Sequence, residues 1–177
     1  MKYNPNIHHR KSTRVKEYDY SQTGLYFITI CTQNHHYLFG EIKNDQMLLN
    51  NAGVHANQCW ADIPQHFPNV KLHEQVVMPN HVHGILEIVG ANNYSPSIPQ
   101  RRSPSRTIGS IIRGYKIGVT KWFRTNFKNK FPVGKNVWQR NHWDHIIRND
   151  NDYLEISQYI QNNPLTWNND KLNRSGE

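Results

Sequence analysis

The stretch VVMPNHVHGILEIV, Val76 to Val89, decides the fold and poses the first chemical question. From His81 to Val89 it is an apolar, β-branched run that reads as a buried strand. Val70 to Val77 reads the same way, and Pro79-Asn80 between them is a turn, so the two segments are expected to form an antiparallel hairpin. Side chains alternate along a strand, which puts His81 and His83 on one face. Two neighbouring buried imidazoles need two sets of hydrogen-bond partners, and they repel if both become charged. Convergence of neutral ring nitrogens on one cation removes both difficulties. The alternative is a pair of histidines filling polar slots under a loop. If a cation is held, His73, His142 and His145 compete to complete its ligand set.

Working outward, Leu25 to Thr32 (LYFITICT) is rich in β-branched and aromatic residues and is expected to be a central strand. Tyr37 to Ile42 and Gln46 to Leu49 flank Lys43-Asn44-Asp45, a hairpin signal. Asn51 is placed to cap a helix running to about Ile63, with Val54, Cys59 and Trp60 on its apolar side. Ile108, Ile111, Ile112, Tyr115, Val119, Trp122 and Phe123 recur at helical spacing, with Arg113, Lys116, Thr120 and Arg124 on another face. Val137 to Arg148 is β-like with a bend near Asn141. Asn149 to Asp152 opens a last helix, with Glu155 three residues after Asp152 in a capping-box-like arrangement, and Pro164 ends it. The mixture predicts an α+β sandwich, one antiparallel sheet with helices packed on it.

The 177 residues suit one domain, and the formal charge of +8 predicts a polyanionic partner, nucleic acid before membrane. No apolar run approaches the ~20 residues of a membrane span. Cys31 and Cys59 fit no metal spacing and read as free thiols of a cytosolic protein. The charge is unevenly spread. A basic N-terminal arm, residues 1–24, carries Arg10, Lys11, Arg14 and Lys16. The domain spans 25–167, interrupted at 90–106 by a Pro- and Ser-rich basic loop with Arg101, Arg102 and Arg106, and a polar tail occupies 168–177. Arg10, Lys11, Arg14, Arg101, Arg102, Arg113, Lys116 and Arg124 are candidate phosphate contacts. Arg140 and Arg148 lie near the histidine motif's partners and could position DNA or brace Asp144. Trp138, Trp143 and Trp167 are candidates for stacking on unpaired bases.

On the last helix Tyr159 and Asn163 are i and i+4, on one face a turn apart. Beside a metal pair they amount to a hydroxyl nucleophile next to a hard oxygen ligand. Tyr115 and Tyr153 are the rival nucleophiles. Tyr115 sits at an apolar helix position, and Tyr153 lacks a ligand-type residue at i+4.

Taken in order, Met78-Pro-Asn-His-Val-His-Gly84, Trp138-Gln-Arg140, His145-Ile-Ile-Arg148 and Tyr159-Ile-Gln-Asn-Asn-Pro164 resemble the single-tyrosine transposases of the His-hydrophobic-His endonuclease superfamily. Within these the chain most resembles the REP-associated tyrosine transposases of bacteria. The resemblance runs from Tyr18 to Pro164 and excludes the 90–106 loop and the tail. Asn141-His142-Trp143-Asp144 departs from it, since relatives more often carry tyrosines and a glutamate there. The resemblance implies a ferredoxin-like fold, related to the RNA-recognition sandwich, with His81 and His83 on a central strand and Tyr159 on a helix across the same face. It implies cleavage of single-stranded DNA near hairpins with Mg²⁺ or Mn²⁺ held by His81, His83 and Asn163. Tyr159 would form a 5′-phosphotyrosine. Such an enzyme would be cytoplasmic and associated with the nucleoid when DNA-bound, as a monomer or homodimer. A non-catalytic hairpin-binding module and an unrelated His-x-His metal hydrolase are the readings left beside it.

Overall fold

A computed structural model of the chain describes residues 19–90, 107–127 and 136–174. In chain order the elements are β1 (Gly24–Cys31), β2 (Gly40–Lys43), β3 (Gln46–Leu49), α1 (Asn51–Ala61), a single turn α2 (Ile63–His66), β4 (Val70–Val77), β5 (His81–Ile88), α3 (Ile108–Phe127), β6 (Trp143–Ile147) and α4 (Asp150–Asn162). Four strands form one antiparallel sheet in the order β4-β5-β1-β6. With the β2–β3 hairpin, α2 and α4 set aside, this is a β-α-β-β-α-β chain whose first and third strands are innermost. That is the α+β sandwich expected from the residues, in the ferredoxin-like arrangement that the resemblance implied. Arg10, Lys11, Arg14, Arg101 and Arg102 lie outside the described residues.

The two inner strands explain the layering. On β1, Tyr26, Ile28 and Ile30 point to one side and are fully buried under α1 and α3. Phe27, Thr29 and Cys31 point to the other side, opposite Ile85, His83 and His81 of β5. Helix α4 covers part of that second side, burying Ile160 against Phe27, Ile85 and Ile147, with Tyr153 and Ile156 at the margin. One face of the sheet therefore carries the large core, and the other carries a small core and the histidines.

Local chemistry shifts several expected boundaries. Asn50, not Asn51, caps α1: its side-chain oxygen accepts from the Ala52 and Gly53 amides at 2.9 and 3.0 Å. The buried side of α1 then runs through Ala52, Gly53, Ala56 and Trp60, and Val54 is left 56% exposed. The helix stops at Ala61, because Pro64 forces a fresh turn. Asn149 caps α4 by accepting from the Asp152 amide at 2.9 Å, so Asp152 lies inside the first turn and its carboxylate meets His145 rather than completing a capping box. The β2–β3 turn keeps its expected place, with Asn44 and Asp45 at φ of 51° and 59°, the left-handed pair a two-residue hairpin needs. Residues 137–142 are not strand. Trp138 makes a single bridge to Thr32, and regular pairing begins only at Trp143. Among the described residues, no helix is long and apolar enough to cross a membrane.

Gly84 follows His83 on β5 and faces the buried Trp60; a Cβ there would stand 2.3 Å from the Trp60 ring. Gly84→Ala is expected to cost about 1–3 kcal/mol through overpacking. This would be read as a lower urea midpoint, whereas Gly90→Ala, with Thr23 Oγ1 at 3.5 Å as the nearest atom, leaves the midpoint in place.

Candidate active site

His81 and His83 are both buried, with ring centroids 4.4 Å apart. The protein fixes the first imidazole through Asn80. The Asn80 side-chain amide donates to the Leu172 carbonyl at 2.7 Å, which turns its oxygen toward His81 Nδ1 at 2.8 Å. His81 Nδ1 must therefore carry the proton, and the lone pair sits on Nε2. That Nε2 makes no hydrogen bond among the described residues. His83 is held at Nδ1 by the Thr29 hydroxyl at 2.8 Å, its neighbour across β1, and at Nε2 it meets the Tyr159 hydroxyl at 3.2 Å.

Tyr159 and Asn163 arrive together on α4 and its C-cap, as their spacing predicted. The Tyr159 ring stands edge-on to Phe27 at 6.1 Å and is 43% exposed. Asn163 is fully buried. Its amide nitrogen donates to the Asp170 carboxylate at 3.2 Å, and its Oδ1 makes no hydrogen bond among the described residues. Two buried acceptors, His81 Nε2 and Asn163 Oδ1, thus lack a donor beside the His83–Tyr159 pair. Leaving such groups unpaired costs about 1–3 kcal/mol each. A cation is the group that satisfies acceptors of this kind, so the donor set fits one.

Asp170 belongs to this site and was missed in the sequence, where it falls in the segment read as a polar tail. Its carboxylate and the two imidazoles offer ligand atoms within 4.8 Å of one another. Trp167, buried against Tyr37 and His81, folds the segment back, and the Leu172 amide donates to Asp170 Oδ1 at 2.7 Å. The signal was weak because Asp170 sits in no periodic pattern.

Burial sets the electrostatics. It pushes the His81 pKa down to about 4, opposed in part by Asp170 and the Asn163 side chain. His83 lies well below the usual imidazole value, from burial first and then from His81. Both rings are neutral at neutral pH, the form that ligates metal. Tyr159 is shifted up by burial and by Asp170, with the Asn163 side chain pulling the other way. Cys31 also lines this cleft, and burial raises its thiol to about 11, so it stays protonated.

The competing histidines are engaged elsewhere: His73 with Glu87 and Tyr153, His142 with Asp144, His145 with Asp152. Of the rival tyrosines, Tyr115 is buried against Trp60 and Trp138, and Tyr153 donates to Glu74 at 2.9 Å. Among the candidate cations, Arg113, Lys116, Arg124 and Arg140 line one cavity of about 810 Å³ against α3. Lys116 is half-committed there: its ammonium donates to the Gln139 and Asn141 carbonyls, and burial lowers its pKa to about 8. Arg148 is exposed at the end of β6, away from that cavity. Trp138 and Trp167 are buried, while Trp143 lines the cleft with His83 and Tyr159.

No family model matches the chain. An uncharacterised protein of Haemophilus influenzae is 48% identical over 179 residues, covering 97% of each chain, and the two belong to one family. A "putative REP-associated tyrosine transposase" of the same organism is 24% identical over 149 residues, 83% of this chain and 73% of that one. A solved structure of a REP-associated tyrosine transposase bound to a REP hairpin superimposes with a TM-score of 0.56 at 21% identity, over 87% of this chain and 74% of that one. The chain has the fold of the REP-associated tyrosine transposases. The fold that the Pro-Asn-His-Val-His and Tyr-Ile-Gln-Asn-Asn-Pro runs led us to expect is therefore the fold observed.

The neutral histidines carry a pH dependence with a definite sign. An unfolded histidine titrates near ~6.5. Between there and about 4 the unfolded chain binds a proton at His81 that the folded chain refuses, so stability rises with pH across that window. Chelator-treated protein is expected to melt at a lower temperature at about pH 5 than at about pH 7. An unchanged melting temperature contradicts the neutral pair.

Proposed function

We propose that the chain is a DNA strand transferase of the transposase type, cleaving single-stranded DNA beside a hairpin with Tyr159 as nucleophile. The observation that carries this is the Tyr159 hydroxyl 3.2 Å from His83 Nε2, next to two buried acceptors without donors. His81, His83 and Asn163 would hold Mg²⁺ or Mn²⁺, with the Asp170 carboxylate as a further oxygen. When bound, that ion supplies Lewis-acid stabilisation of charge on the scissile phosphate and the leaving 3′ oxygen.

The chain's own residues do the rest. Phe27 holds the Tyr159 ring edge-on at the open side of the cleft. The phenolic oxygen attacks phosphorus, the bond from phosphorus to the 3′ oxygen breaks, and a 5′-phosphotyrosine and a free 3′-hydroxyl result. The phenolic proton is lost in this step, and the departing 3′ oxygen gains one. The ester keeps the energy of the broken bond, so a second 3′-hydroxyl can reverse the reaction and join strands. A phenol with a raised pKa is a poor nucleophile at rest. Support for a hairpin substrate comes from the related transposase solved with a REP hairpin. Arg113, Arg124 and Arg140 are assigned to phosphate contacts. An unrelated hydrolase built on a third histidine is disfavoured, because His73 and His145 bond to Glu87 and Asp152 and His142 lies against Asp144 and lines the α3 cavity instead.

The test is a denaturing gel after incubation with labelled hairpin DNA and Mn²⁺. Wild type should give a covalent protein–DNA band. Tyr159→Phe and His81→Ala should abolish it, and Asn163→Ala should reduce it by roughly tenfold or more. A band that survives Tyr159→Phe refutes the nucleophile. Salt-sensitive retention of DNA without any band favours a binding module. Imidazole ligands favour Mn²⁺ over Mg²⁺, so Mn²⁺ should support the band at the lower concentration.

A further inference from the structure

Trp143 stands at a boundary between two cavities. Arg140, Asn141 and His142 line the basic cavity against α3, on the large-core side of the sheet. The very next residue, Trp143, lines a cleft of about 620 Å³ that holds His83 and Tyr159, on the other side. The chain changes sides here: residues 137–142 are not strand, and β6 begins at Trp143, whose register opposite Thr29 places it on the Phe27 and His83 side of the sheet. Strand β6 is also the sheet's edge, paired only with β1. A flexible polymer can therefore pass from one cavity to the other around the start of β6 without crossing the sheet.

Both ends of that path suit a nucleic-acid strand. Trp143 is 49% exposed, whereas Trp60, Trp138 and Trp167 are buried and Trp122 packs against His55 and the core. The indole is held firmly: its ring meets Phe27 edge-on at 5.9 Å and lies parallel to His145 at 6.1 Å. Phe27 meets Tyr159 in the same way, so a single phenyl ring separates the exposed indole from the nucleophile. A fixed, half-exposed indole in a cleft is a platform for a nucleobase. On the other side, Arg113, Lys121, Arg124 and Arg140 surround the cavity and form no ion pair among the described residues. The nearby acid, Asp144, has a carboxylate oxygen 3.5 Å from His142 Nε2. Lys116 ties down the carbonyls on either side of Arg140, which fixes where that guanidinium starts from. Clustered cations without carboxylate partners are the surface a phosphodiester backbone neutralises.

We propose that single-stranded DNA runs over the β6 edge, with one base stacked on Trp143 beside Tyr159 and the adjoining phosphates seated in the α3 cavity. Trp143 is then a positioning residue for the scissile nucleotide, and the α3 cavity is the anchor of the flanking strand. This rests on the strand-transferase reading and adds to it the route of the substrate.

Oligothymidylate, a substrate without a hairpin, tests the route. Its binding should quench the indole fluorescence of wild type, and Trp143→Phe should remove most of that quench. The double variant Arg113→Gln/Arg140→Gln should bind more weakly, and its plot of log affinity against log salt should be shallower by about 1.4, at ~0.7 per lost single-strand phosphate contact. Lys71→Gln, on the opposite edge strand, should leave the slope unchanged. Full quench in Trp143→Phe, or an unchanged slope in the arginine variant, overturns the route while wild type still binds and forms its covalent band. Absence of salt-sensitive binding and of the band in wild type overturns the strand-transferase reading and the route with it.

Discussion

Two imidazoles on an inner strand must stay neutral and must find partners for every ring nitrogen, and the second side of the sheet is organised around that demand. Thr29 satisfies one nitrogen of His83 from the neighbouring strand. Asn80, the last residue of the β4–β5 turn, satisfies one nitrogen of His81 and in doing so fixes its tautomer. Of the remaining two nitrogens, His83 Nε2 meets Tyr159 in the cleft and the buried His81 Nε2 makes no hydrogen bond among the described residues. Desolvation keeps both rings uncharged, which makes those nitrogens lone-pair donors rather than proton donors.

The same demand ties down the C-terminal segment. Asn80 can present its oxygen to His81 because its nitrogen is spent on the Leu172 carbonyl. Asn163 can present its oxygen to the cleft because its nitrogen is spent on Asp170. Each amide is oriented by a residue beyond α4, so residues 164–174 act as the clamp that aims the donor set. Trp167 and Tyr37 anchor this clamp, and the Tyr37 hydroxyl reaches Asn173. In this way a segment with no more than a single 3-10 turn, Trp167–Asn169, orients both amides.

The two faces of the sheet divide the labour. The α1/α3 side holds the large core, where Trp60 packs over Gly84 and edge-on to Tyr115. That rigidity holds β5, and hence the histidines, in register with β1. The α4 side buries few apolar residues and leaves a cleft open beside Tyr159. A reactive site needs this combination of a stiff support behind and an accessible surface in front.

Much was legible in the residues alone. Period-two alternation placed His81 and His83 on one face, and the i, i+4 spacing placed Tyr159 with Asn163, because strand and helix geometry relate near neighbours without reference to the rest of the chain. The strands, the main helices and the antiparallel sheet followed from the same local periodicities. The start of α1 was misplaced by a residue, since Asn50 and Asn51 are chemically alike and the structure ties Asn50 to the Leu38 and Phe39 carbonyls, which lie outside the helix's local pattern. Asp170 could not be found, because its place depends on a chain reversal held by Trp167. Nor could the sequence say which tryptophan is exposed, or that Arg140 and Trp143 serve opposite sides of the sheet. Sequence by itself determined the chemical types available and their local faces. Only the tertiary structure decided which of them meet, because those meetings join residues far apart in the chain through packing that no local pattern encodes.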